Sequence, residues 1–224
     1  GRAARMEPIK GMSELNPILA GLVAALFAWS RREQIAYDFI KDELAAQGIE
    51  ASYEVTQISA NRQVLKSIVI GDPQRPDLTI DELEIFITPR LGLPSIREVR
   101  LTRPRLFATY RAGQFSLGSL DPLVFTGEDS AFEFPDMVLA IEDGRALLES
   151  DFGRIGVKLV GSGHLRGGFA GELAVSGPQL AHAGCAAQGA SLYGTIRVDA
   201  ERPSFAGPLR FKSINCDNGL LLAD

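Results

Sequence analysis

From residue 49 onward the apolar residues of this chain recur at every second position, in short runs separated by glycine and proline. That spacing restricts the chain to β-structure. The run ASYEVTQI sets Tyr53 and Val55 against Ser52, Glu54 and Thr56. VLKSIVI supplies a second strand with Ile68 and Ile70, ended by Gly71-Asp72-Pro73. ELEIFIT puts Leu83, Ile85 and Ile87 on one side and Glu82 and Glu84 on the other. Shorter runs fall at 99–101 and 106–110. MVLAIEDGRALLES carries Leu139 and Ile141 and contains Asp143-Gly144, the strongest short-range hairpin signal, so two strands joined by a tight turn are expected there. GRIGVKLVGSG, GHLRGGFAGELAVSG, ASLYGTIRVDA and GPLRFKSI follow at hairpin spacing. The expectation is an antiparallel meander.

The alternation also sorts charge. In RIGVKLV, Ile155, Val157 and Leu159 oppose Arg154 and Lys158; in LYGTIRV, Leu192, Ile196 and Val198 oppose Thr195 and Arg197. A sheet of such strands has one dry face to hide. It can pack on a second sheet, close into a barrel, or curl into a gutter whose lining takes acyl chains. Periodicity does not choose among the three.

The N-terminal part follows a different rule. No charge falls between Glu14 and Arg31, a stretch of 16 residues that makes about 24 Å of helix. A bilayer core of about 30 Å calls for nearer 20 residues. Ile18, Leu19, Leu22, Val23, Leu26 and Phe27 supply the apolar surface, Trp29 an interfacial aromatic, and Arg31 and Arg32 can reach the headgroups. A cleaved signal peptide would use Arg2, Arg5 and Lys10 as its basic region and Ala28-Trp29-Ser30 as its cut site. Helical spacing nevertheless continues through Ile35, Phe39, Ile40 and Leu44 to a stop at Gly48, which favours a retained anchor over cleavage and over a buried soluble helix. Gly1 in place of Met, and the apolar run at the other end, lead to the expectation of a piece of something longer.

Chemistry is sparse. The net charge of −5 argues against nucleic acid, which needs a basic face. Cys185 and Cys216 could form one bridge in an oxidising compartment or remain two thiols. With His164 and His182 they lack the paired spacing of a zinc site, so no metal is expected. Gly161, Gly163 and Gly167 do not match a dinucleotide loop, and Asp72, Asp77 and Asp81 do not match a calcium loop; turns explain both. No serine has a GxSxG context. The expectation is a protein that is not an enzyme and has no cofactor.

Several ordered segments carry a resemblance. REQIAYDFIKDELAAQGIEASYEV leads into VIGDPQRPDLTIDELEI, then VRLTRPRLFATYRAGQFSLGSLDPL, then FPDMVLAIEDGRALLESDFGRIGVKLVGSGHLRGGFAGELAVSGPQL and the pair Gly184-Cys185. This order resembles the N-terminal part of the YdbH-type proteins of Gram-negative bacteria, relatives of the AsmA and TamB group, over roughly residues 31 to 213. The resemblance implies one inner-membrane helix followed by an elongated, curved, open β-sheet in the periplasm, with an apolar groove for phospholipid and no catalytic residues. It implies partners as well: the inner membrane, phospholipid acyl chains, and a lipoprotein or other protein on the outer-membrane side. The expected organisation is a tail at 1–16, an anchor with amphipathic extension at 17–48 and a β-rich unit at 49–224. The expected lining is Tyr53, Val55, Ile68, Ile70, Leu83, Ile85, Ile87, Leu139, Ile141, Ile155, Val157, Leu159, Leu192, Ile196 and Val198. The competing reading is a closed β-sandwich stalk that holds an envelope partner.

Overall fold

A computed structural model describes residues 45, 46, 48–59, 61–88, 95–124, 136–217 and 221–223. The anchor segment expected at 17–48 lies outside the described residues except at its end, where Ala45 and Ala46 are helical. Gly48 closes that turn: its φ is +72°, and its N–H donates to the Ala45 carbonyl at 3.0 Å. A side chain would strain that left-handed conformation, which glycine adopts freely. Among the described residues no helix is long and apolar enough to cross a membrane.

The strands are β1 (Ala51–Ile58), β2 (Arg62–Asp72), β3 (Arg75–Thr88), β4 (Ser95–Thr102), β5 (Arg105–Arg111), β6 (Gln114–Ser116), β7 (Val138–Ser150), β8 (Gly153–His164), β9 (Phe169–His182), β10 (Cys185–Asp199), β11 (Arg202–Ala206), β12 (Leu209–Arg210), β13 (Ser213–Cys216) and β14 (Leu221–Ala223). All belong to one sheet. Registers show that several are pieces of one path. β4 and β5 together run beside β3 and, on their other side, beside β7. β11, β12 and β13 follow one another along β10 in one register.

The meander expectation holds in most pairs but not all. β7 runs parallel to β4 and β5, so the sheet is mixed. Between β6 and β7 the chain crosses back instead of turning, because a parallel neighbour cannot be reached by a tight turn. The crossing starts with a 3-10 turn at Gly118–Leu120 and one helical turn at Asp121–Val124. Asp77 of β3 pins it by accepting from the Ser119 N–H at 2.9 Å and hydroxyl at 2.7 Å. The 3-10 turn packs against β2, β3 and β5, where Ile68, Ile80 and Ala108 are buried, and Leu120 is buried with them.

The expected hairpin at Asp143-Gly144 is also corrected. β7 passes straight through it. The register with β8 steps from Ile141 opposite Gly161 to Gly144 opposite Leu159, so Glu142 and Asp143 together face Val160 in a β-bulge. Asp143 has φ +48°, the backbone that a turn would also require. Tight hairpins instead use Ala112-Gly113, Ala183-Gly184 and Ala200-Glu201, each pair with both φ values positive.

This bulge belongs to a line across the sheet. At β1–β2 the register steps from Ser52 opposite Val69 to Glu54 opposite Lys66, so β2 holds the extra residue beside Ser67, whose φ is +52°. Between these two steps the registers of β2–β3, β3–β4/β5 and β4/β5–β7 run through without a break at this level. Each of these four strand paths therefore carries one residue beyond strict alternation, at Ser67, Asp81, Arg103-Pro104 and Asp143. On the remaining strands glycines flank this level by one residue: Gly161 and Gly171 on the Ile141 side, Gly194 and Gly207 on the Gly144 side. Gly161 has no room for a Cβ, which would sit 2.8 Å from both the Ala170 carbonyl oxygen and the Gly171 Cα. At Gly171 a Cβ would strike the Val160 carbonyl oxygen.

Two outcomes follow. Gly171→Ala should cost about 1–3 kcal/mol through overpacking, seen as a lower midpoint in thermal unfolding followed by circular dichroism. Cys185 and Cys216 face each other across β10 and β13 and are joined, with Cα atoms 4.0 Å apart and a sequence separation of 31. The Cys185→Ser/Cys216→Ser double variant should lose roughly 3–4 kcal/mol on loop entropy, and reductant should lower the wild-type midpoint but leave the variant's unchanged.

Candidate functional site

The registers carry the apolar residues of successive strands onto one face. Val157 lies opposite Ala146 on β7 and Val175 on β9, and Val175 lies opposite Leu192 on β10. Leu159 pairs with Leu173, Ile155 with Leu148, and Ile141 with Gly161. Gly161 is followed by Gly171 and then by Ile196. Leu139 meets Val99 on β4, and Ile141 meets Leu101. Val99 and Leu101 in turn meet Ile85 and Leu83. Past the bulge line the face continues through Ile68 opposite Ile80, and Ile70 opposite Leu78, which neighbours Leu106. Tyr53 and Val55 extend it to the edge strand, where Val55 faces Leu65. Val198, opposite Phe169, is buried at the other margin. Ile87 lies past a further register step, beside Ile96.

The fifteen residues read from the sequence as lining thus share one face; at Ile87 the extra residue of the register step is Arg97 of β4, so β3 keeps its alternation. The alternation missed others on the same face: Val99, Leu101, Leu106, Phe169, Leu173 and Val175. In β9 the neighbours of these residues are mostly glycine, alanine and serine, so the contrast between the two sides is weak in sequence.

Along β4 and β7 to β10 the Asp, Glu, Lys and Arg side chains fall on the other face; at the β2–β3 end the Asp77 carboxylate of β3 reaches this side, where it holds the 3-10 turn over Ile68 and Ile80. The contrast in exposure is consistent. In β8 Ile155, Val157 and Leu159 are half-buried, whereas Arg154, Lys158, Val160 and Ser162 are exposed. In β10 Leu192, Gly194 and Ile196 are half-buried, whereas Ser191, Tyr193, Thr195 and Arg197 are exposed. Among the described residues no large side chain is fully sealed from solvent, and no second sheet lies over the uncharged face. A patch of this breadth on a lone domain marks a surface that binds something apolar.

The opposite face carries the charge, organised as cross-strand pairs. Lys66 lies 3.0 Å from Glu82, and Arg62 2.8 Å from Glu84. Arg100 pairs with Glu98 and sits over the Phe86 ring at 5.1 Å. Five more charges gather at the bulge line. Asp81 pairs with Arg103 at 2.5 Å. Arg105 bonds both the carboxylate of Asp143, at 3.0 Å, and its backbone carbonyl. Arg145 approaches the same carboxylate at 3.4 Å. The Arg105 hydrogen bond, with the nearby Arg145 charge, holds the Asp143 carboxyl below the ordinary carboxylate range, against partial desolvation working the other way. At Tyr193 the Glu172 carboxylate, close enough to bond the phenol, pushes the phenol's pKa up.

The Asp143 shift has a sign. A carboxylate favoured in the folded state contributes stability above its unfolded pKa of about 3.9, and that contribution is lost as pH falls through the folded value. Asp143→Asn should therefore melt below the wild type at pH 7, and the gap should close below about pH 4. Paired melts at pH 7 and pH 3 read the difference directly.

His164 and Asp136, at 2.9 Å, form an isolated pair at one end of β8. Among the described residues no three His, Cys, Asp or Glu side chains converge as a metal site would require. A family model described as YdbH-like, intermembrane phospholipid transport protein YdbH, matches residues 19–224. No curated protein matches the chain.

Proposed function

Because the chain belongs to the YdbH-like family of intermembrane phospholipid transport proteins, we propose that its uncharged face is a path for phospholipid acyl chains between two membranes. The observation that carries this reading is the continuity of that face. Its aliphatic residues follow one another across every strand path from β2 to β10, and among the described residues no second sheet lies over it. A phospholipid's acyl chains hold some thirty methylenes at about 0.8 kcal/mol each, so an aqueous gap opposes their crossing by roughly 20 kcal/mol. An apolar surface that spans the gap removes most of that barrier while headgroups stay in water. No bond is made or broken, so the transfer needs no catalytic group.

In this reading the segment 17–29 anchors the protein in the inner membrane as a single pass, and the sheet works in the periplasm. The Cys185–Cys216 bridge fits an oxidising compartment. Partners are the inner membrane and, at the far end, a protein or lipoprotein of the outer membrane.

Photocrosslinking tests the path. A benzophenone amino acid at Leu83, Ile85, Val157 or Leu159 should capture phospholipid in cells, and one at Lys158 or Ser162 on the charged face should not. Silence at all four apolar positions in folded protein, or equal capture from both faces, would sink the proposal and favour a stalk with mutually buried sheets.

A further inference from the structure

Every strand path from β2 to β11/β12 is interrupted within one residue of a common level, that of Val160. The interruptions are bulges at Ser67, Asp81, Arg103-Pro104 and Asp143, then Gly161, Gly171, Gly194 and Gly207-Pro208. The two kinds of interruption have the same mechanical sense. A bulge sets two residues against one; here Glu142 and Asp143 oppose Val160 on the charged face, which lengthens that face. The glycines lack side chains on the uncharged face, where a Cβ on Gly161, Gly171, Gly194 or Gly207 would meet the backbone of the next strand. One face is stretched and the other compressed along one line.

We propose that this line is a hinge that folds the sheet toward its uncharged face, and that the ion pairs Asp81–Arg103 and Asp143–Arg105 on the outer side set the angle between the two halves. The proposal deepens the lipid-path reading and rests on it, since the angle fixes how wide a cargo the uncharged face admits. The charges are placed for this role. Arg103, with φ +50°, donates its backbone N–H to the Glu142 carbonyl at 2.8 Å, and the Arg145 N–H donates to the Pro104 carbonyl at 2.9 Å. Arg105 then grips Asp143 by side chain and backbone together, so this bulge cannot flatten without breaking both contacts. Asp81 belongs to β3 and is tied to the same level by Arg103. Arg145 at 3.4 Å and Lys158 at 4.0 Å are the other cations near Asp143.

The test uses the full chain with its disulfide left oxidised. Spin labels at Ile96 and Thr109 sit on exposed positions of one strand path, on either side of Arg103-Pro104. In Asp81→Asn/Asp143→Asn the pulsed-resonance distance should shift by about one strand residue, ~3.3 Å, or broaden by as much. Phospholipid capture from Val157 should fall severalfold. Arg105→Ala, which removes the same grip from the other partner, should move both readouts the same way, whereas Arg111→Ala, which removes the Arg111–Glu149 pair away from the line, should move neither. The asparagine pair keeps side-chain volume, and a single cooperative melt confirms its fold. A folded variant with an unchanged distance overturns the hinge, whatever its lipid capture. A shifted distance in a protein whose wild type captures no lipid supports the hinge and removes the lipid path.

Discussion

The fold depends on keeping one face of a very wide sheet free of charge while every strand stays paired. These demands conflict over long strands, because a one-residue slip sends every following side chain to the wrong face. β7 shows the resolution. Leu139 and Ile141 precede the bulge, Gly144, Ala146 and Leu148 follow it, and all five remain on the uncharged face because Glu142 and Asp143 spend the extra residue together on the other. β2 and β3 make the same step between Leu65 and Ile68 and between Ile80 and Leu83. Because the steps are aligned, the ladder between these strands is continuous at this level, and the mismatch there is absorbed at β1–β2 and β7–β8.

Much of this was legible in the sequence, and the rest was hidden for identifiable reasons. Alternation in RIGVKLV and LYGTIRV placed Ile155, Val157, Leu159, Leu192, Ile196 and Val198 on one face, and the pairing agrees. The three-residue spacing of Leu65–Ile68 and Ile80–Leu83 was also in view, but it acquires meaning only when neighbouring strands are laid side by side. Asp143-Gly144 misled because a tight turn and a bulge both ask for a residue at positive φ, and the dipeptide satisfies either. Distant partners decide between them: here β5 on one side and β8 on the other hold the chain straight. The parallel neighbour of β7 was hidden for a related reason. Its crossing carries only one short helical turn among the described residues, far below the length at which helical periodicity can be read.

Polar chemistry in this protein serves geometry. Most surface ion pairs contribute little to stability because both partners are well solvated and screened by salt. The charges at the bulge line have a different use. Besides the Pro104 carbonyl, Arg105 bonds both the carboxylate and the carbonyl of Asp143, a residue in an uncommon backbone conformation, which makes it a conformational restraint more than a source of net energy. Glycine does the complementary work on β8, β9 and β10, where any side chain would collide with the neighbouring backbone. In the proposed hinge, charged bulges on one half of the line and bare glycines on the other favour the same bend by opposite means.

This division fits what a transport surface needs. A carrier face that bound its cargo through polar groups would hold it at fixed points, and each departure would leave buried donors or acceptors unpaired. A face of aliphatic side chains offers nearly equal contact at every position along its length, so acyl chains can move without crossing deep wells. The cost is a broad apolar surface that must be kept from pairing with other such surfaces. Curling the sheet toward that surface shields it while leaving its length open. Under the proposed lipid path, specificity would reside in the bend and not in any contact with the lipid. Substitutions at Gly171 or Asp143, which offer the cargo no apolar side chain, should accordingly affect transport more than the loss of any one aliphatic residue from the face.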